Sequence, residues 1–62
     1  MCELKVFSLK GSERTKIMEG AIRLSSNEGK VLIEGIFGDS IEVDGRISEV
    51  NIAAQTANII VT

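Results

Sequence analysis

The stretch from Ala21 to Phe37, AIRLSSNEGKVLIEGIF, decides how this chain folds. Asn27-Glu28-Gly29 separates two apolar-rich runs, and glycine in the third place accepts the positive φ that a tight turn demands. The pattern reads as a β-hairpin. Before the turn, Ile22 and Leu24 are expected inward and Arg23 and Ser25 outward, the alternation of a half-buried strand. After it, Val31, Ile33 and Phe37 fall on one face, and Leu32 and Ile36 on the other. A strand apolar on both faces is either central or covered by another subunit.

Working outward, the segment Cys2–Leu9 starts with Cys2, Leu4 and Val6 on one parity and continues with Phe7 and Leu9 on the other. That switch predicts a bulge or bend near Val6–Phe7. Lys10-Gly11-Ser12-Glu13 reads as a turn, and Arg14–Met18 as a polar strand whose apolar weight lies in Ile17 and Met18. Glu19-Gly20 reads as a kink. Downstream, Gly38-Asp39 turns the chain into a short strand, Ser40–Val43, and Asp44-Gly45 is expected to be a second hairpin turn of type I′. The run RISEVNI then puts Val50 and Ile52 on one face and Ile47 on the other. Ala53–Ala57 is a loop or one helical turn, and the chain closes on an apolar strand, NIIVT. About six to seven short strands with regular turn signals predict an all-β fold, a small SH3-like or Sm-like antiparallel barrel. The competing arrangement is an open sheet that closes only on dimerising. Either way, residues 1–62 form one domain.

Size makes the fold marginal. A chain of 62 residues buries only about 60% of the surface its unfolded form exposes. Small scaffolds compensate with disulfides, a metal or a partner chain, and a lone cysteine excludes the first within one chain. The sequence is 44% hydrophobic with two phenylalanines as its only aromatics and no proline, so the apolar content is largely aliphatic and β-branched, as strands prefer. No apolar run approaches the roughly 20 residues that span a bilayer. The start lacks the charged and apolar regions of a signal peptide. A cytoplasmic location is expected, which suits an unpaired thiol.

The missing residues narrow the chemistry. With no histidine, the usual serine triad, the HExxH zinc site and a histidine general base are all excluded. The glycines are scattered and form no phosphate-binding loop. The expectation is a non-enzyme. A net charge of −2 runs against nucleic-acid binding, where phosphate neutralisation supplies most of the affinity.

What remains is Cys2. Thiolates are soft ligands that suit nickel, copper(I) and zinc. With Met1 retained, the terminal amine, the Cys2 amide nitrogen and the Cys2 sulfur form two fused five-membered chelate rings. With Met1 removed, the amine and sulfur of Cys2 form one. Such nearly coplanar nitrogen and sulfur donors favour nickel(II) over tetrahedral zinc. Two chains related by a twofold axis can bring two Cys2 sulfurs to one ion. Against this stand two plainer roles for a single cysteine: a small buried hydrophobe, or a disulfide between chains.

The opening MCELKVF, the central EGAIRLSSNEGKVLIEGIFGD and the closing IEVDGRISEVNIAAQTANIIV together resemble the CooT-like family, small chains that begin Met-Cys. The resemblance covers essentially the whole length and rests on the order of the segments. It implies a homodimeric small β-barrel that binds nickel(II) through Cys2, with a terminal nitrogen of Met1 or Cys2 as supporting donor. The family's founding member is associated with carbon monoxide dehydrogenase maturation, so a nickel enzyme or maturation factor is the implied partner. The family is also labelled predicted RNA-binding. In that reading Lys5, Lys10, Arg14, Lys16, Lys30 and Arg46 contact phosphate, and Phe7 or Phe37 offers a stacking platform. A third reading is a ligand-free dimerisation module built on Val31–Phe37.

Overall fold

The structure is a computed structural model describing residues 3–62; the candidate ligands Met1 and Cys2 lie outside the described residues. Five strands follow one another: β1 (Leu4–Lys10), β2 (Glu13–Asn27), β3 (Lys30–Gly35), β4 (Ser40–Asn51) and β5 (Thr56–Val61). Each pairs with the next in antiparallel fashion, and β1 pairs with β5 to close a barrel. An odd number of strands in up-and-down order leaves the first and last pointing the same way. The closing pair is accordingly parallel, from Lys5↔Thr56 to Leu9↔Ile60.

The expected all-β barrel is present, with five strands rather than six or seven because two of them are long and bent. β2 turns its corner at Gly20, where φ is +73°, and runs on without a break. Its first part pairs with β1, its second with β3. Asp44-Gly45 is not a hairpin turn. It is the corner of β4, where the strand leaves β3 and joins β5. Gly45 is buried there, and a Cβ at that position would overlap the Ile60 carbonyl. A glycine can mark a close backbone approach as readily as a turn.

Bulges reset the inward face. Arg23 pairs with Glu34 and Ala21 with Gly35, so Ile22 is the extra residue. Ala21 and Leu24 therefore point to the core, and Ile22, expected inward, is 51% exposed. The register also shifts on both sides of Val6, as the parity switch there predicted. The Glu28-Gly29 turn joins β2 to β3 with positive φ at both residues, the geometry of a tight hairpin turn. Among the described residues the core consists of Val6, Met18, Ala21, Val31, Ile33, Ala57 and Ile59. Val31 and Ile33 face inward from the central β3, whereas Phe37 lies beyond the strand and is 91% exposed.

Candidate functional site

Position 2 is reached through the start of β1, and two features fix that start. The amide of Lys5 donates to the carbonyl of Gln55 across 2.9 Å. On the other side, Leu4 pairs with Ala21 just past the bend of β2. Both flanks are unusual backbone. Gln55 has φ +57° and ends a tight turn in which its amide donates to the Ile52 carbonyl and the Asn51 side chain accepts from the Ala54 amide. Gly20 carries the bend on the opposite flank, and its carbonyl accepts from the amide of Ile36 at 2.8 Å. Glu3 and Ile36 close over Gly20: a Cβ there would meet Ile36 Cγ2 at 3.2 Å and Glu3 Oε1 at 3.4 Å.

A hollow of about 310 Å³ opens beside this chain start, lined by Glu3, Lys5, Glu19, Gly20 and Gln55. Its electrostatics are mixed. Lys16 Nζ donates to Glu19 Oε1 at 2.7 Å, and that bond, with the lysine charge, holds the Glu19 carboxyl below the ordinary carboxylate range. A second hollow, about 380 Å³, lies on the outer face of β2–β3–β4 among Arg23, Lys30, Leu32 and Glu42. It sits away from the chain start, and its two cations are held by Glu34 and Asp44. The first hollow is the one lined by Glu3 and Lys5 at the start of β1. Among the described residues no group of three or more cysteine, aspartate or glutamate side chains gathers to hold a metal.

Three exposed apolar residues adjoin, in sequence, the segments that flank the start of β1. Ile22 follows the bend, Phe37 follows Ile36, and Ile52 lies in the turn that ends at Gln55; all three are more than half exposed. Sequence reasoning missed Ile22 and did not connect Ile52 to this end. The signal that could have found Ile22 was the small Ala21 beside Gly20, a pair suited to a bend packed against neighbouring backbone.

The residues considered for RNA contact separate into two groups. Lys5, Arg14, Lys16 and Arg46 share one sheet face with Phe7, and Lys10 ends the same β1. Lys30 lies on the other sheet, where it donates to Asp44 at 2.8 Å. Phe7 is half-buried, with the Arg14 guanidinium 3.7 Å above its ring centroid, so the face a base would stack on is occupied.

Comparison with known proteins bears directly on this arrangement. The model of the family described as "CO dehydrogenase accessory protein CooT" matches residues 1–61, including the Met-Cys start. The chain belongs to the CooT family. No curated protein matches it. The crystal structure of a candidate CooT from Carboxydothermus hydrogenoformans superposes with a TM-score of 0.87 over 98% of each chain, at 21% identity. At that identity the likeness concerns the fold: the barrel with its bent β2 and β4 is a CooT barrel. No helix among the described residues is long and apolar enough to cross a membrane.

Proposed function

We propose that this chain is a non-catalytic cytoplasmic accessory protein that carries nickel(II) for the assembly of a nickel enzyme. The ion is cargo, and the Cys2 sulfur with a terminal nitrogen of Met1 or Cys2 holds it. The observation that carries the reading is the family match, which runs through a Met-Cys start in a chain with no histidine and no second cysteine. The family is described as accessory to CO dehydrogenase, and an accessory role fits a 62-residue barrel whose two described hollows are open and shallow. The described residues offer no competing cluster of ligands.

One chain supplies two or three donors to an ion that takes four in a plane, so a second copy completes the set. The exposed Ile22, Phe37 and Ile52, which adjoin in sequence the segments flanking the start of β1, favour that pairing, since exposed apolar groups mark contact surfaces. Two copies meeting through this end bring their chain starts toward one another.

Titration of the apo protein with nickel(II) tests the reading. Sulfur-to-nickel charge-transfer absorption should grow and saturate at one ion per two chains, and Cys2→Ser should abolish it. Undiminished nickel affinity in Cys2→Ser would refute the assignment.

A further inference from the structure

The outer face of the sheet formed by β1, β5 and the adjoining parts of β2 and β4 is unlike the rest of the surface. Its registers build rows of side chains across four strands. In one row Arg14 pairs with Leu9, Leu9 with Ile60, and Ile60 with Arg46. In the next, Lys16 pairs with Phe7, Phe7 with Asn58, and Asn58 with Glu49, so this row carries a cation at one end and a carboxylate at the other. Ala57 and Ile59 point to the core, so their neighbours Asn58 and Ile60 point outward, as do Phe7 and Leu9 on β1. An aliphatic and aromatic strip thus runs along the middle of an outer face, with an arginine at each end of its upper row.

The charges of the two halves of the barrel differ. This half, with Glu3, holds five cations and four carboxylates; the half made of the remaining β2, β3, the first part of β4 and their turns holds two and five. In the acidic half both cations are paired, Arg23 with Glu34 and Lys30 with Asp44. In the basic half only Lys16 has a carboxylate within ion-pair distance among the described residues. Lys5, Lys10, Arg14 and Arg46 are left without one. Beside them the Oδ1 of Asn58 is buried and has no hydrogen-bond partner, and buried acceptors are ordinarily satisfied.

We propose that this face is a docking site for an acidic, aliphatic-bearing segment of a partner protein bound in extended form. Its aliphatic side chains cover Leu9 and Ile60, and its carboxylates reach Arg14 and Arg46. Charge complementarity selects the occupant: an apolar pair with an arginine at each end matches an aliphatic centre flanked on both sides by carboxylates. A single-stranded nucleic acid fits less well. Arg14 covers the Phe7 ring, the other apolar members offer no π-face, and the acidic half of the barrel repels phosphate. The proposal does not depend on bound nickel.

The test uses the full native chain, ¹⁵N-labelled and without added metal, titrated at low salt with a capped ten-residue peptide that has a central run of Val flanked by Glu. Amide shifts should be confined to Phe7, Leu9, Arg14, Arg46, Asn58 and Ile60 and should diminish as salt is raised. Arg14→Glu combined with Arg46→Glu should weaken binding at least ten-fold with the rest of the spectrum dispersed, whereas Arg23→Glu should leave it unchanged. Asn58→Asp keeps the shape but removes the carboxamide and adds charge, and should also weaken binding. Shifts that are absent or lie elsewhere overturn the proposal. So does stronger binding of oligouridylate, or of vesicles rich in phosphatidylglycerol, to the same residues under the same conditions.

Discussion

Gly45 lies so close beneath the carbonyl of Ile60 that the β4 backbone fits there only without a side chain. The contact is rigid on both sides, because the Gly45 amide donates to the Gly29 carbonyl and the Thr62 amide to the Asp44 carbonyl. Gly45→Ala therefore forces strands apart in the barrel wall rather than moving a flexible side chain. Overpacking of this sort costs about 1–3 kcal/mol. In a domain of this size each kcal/mol shifts the melting temperature by roughly 4–8 °C, so thermal unfolding by circular dichroism should show a loss of about 10 °C. Ser26→Ala, on the exposed part of β2, should change it by no more than about 3 °C.

Ile33 is fully buried on the central β3, packed with Val6, Val31 and Ile59. The seven buried hydrophobic residues among those described leave little reserve. At 0.05–0.15 kcal/mol per residue the whole domain is stable by roughly 3–9 kcal/mol. Ile33→Ala costs about 2–5 kcal/mol, enough to leave a large unfolded fraction at 37 °C. Ile33→Val, costing about 1 kcal/mol, should remain folded. Urea unfolding of the pair measures both, and a tolerant Ile33→Ala would mean that the core is not centred on β3.

The features that sequence made legible are those with a local physical cause. Gly29 declared its hairpin because only a residue free of Cβ strain sits easily at φ +77°. The parity switch at Val6–Phe7 declared a bulge because both strings of apolar residues have to face something. Asp44-Gly45 was misread because glycine serves a corner and a turn equally well, and the choice depends on Ile60, fifteen residues later in the chain. Ile22 was misplaced because its bulge is set by pairing with Glu34 and Gly35 on another strand. Met1 and Cys2 are legible as donor types, whereas a metal held by them and a meeting of two chain ends belong to an assembly and are not written in one chain's periodicity.

The exposed ion pairs respond to pH in opposite ranges. Glu19 is held below its ordinary value, first by the hydrogen bond from Lys16 and then by the lysine charge. Its contribution to stability is thus present above the unfolded carboxylate value and fades as pH falls through the lower folded one. Lys30 is raised, chiefly by its hydrogen bond to Asp44. That contribution is present below the unfolded lysine value and fades as pH rises through the higher folded one. In a ¹³C-detected titration, Lys16→Gln should move the Glu19 midpoint upward, and Asp44→Asn should move the Lys30 midpoint downward. Both shifts should shrink in high salt, because the groups are exposed.

The apolar end around the start of β1 gives a last prediction that separates folding from assembly. Phe37 makes almost no contribution to the monomer's core at 91% exposure, and Ile22 is a bulged residue facing outward. Replacing both with serine should leave thermal stability, measured at a concentration where the parent is monomeric, within about 3 °C. If two copies pair through this end, the same double substitution should convert the parent's dimer into a monomer by sedimentation equilibrium. It should also lower nickel affinity at least ten-fold with Cys2 intact, because each ion loses the donors of the second chain. Cys2→Ser should show the reverse pattern, binding no nickel while retaining whatever dimer forms without metal. A serine variant that dimerises and binds nickel like the parent would move the interface elsewhere on the barrel.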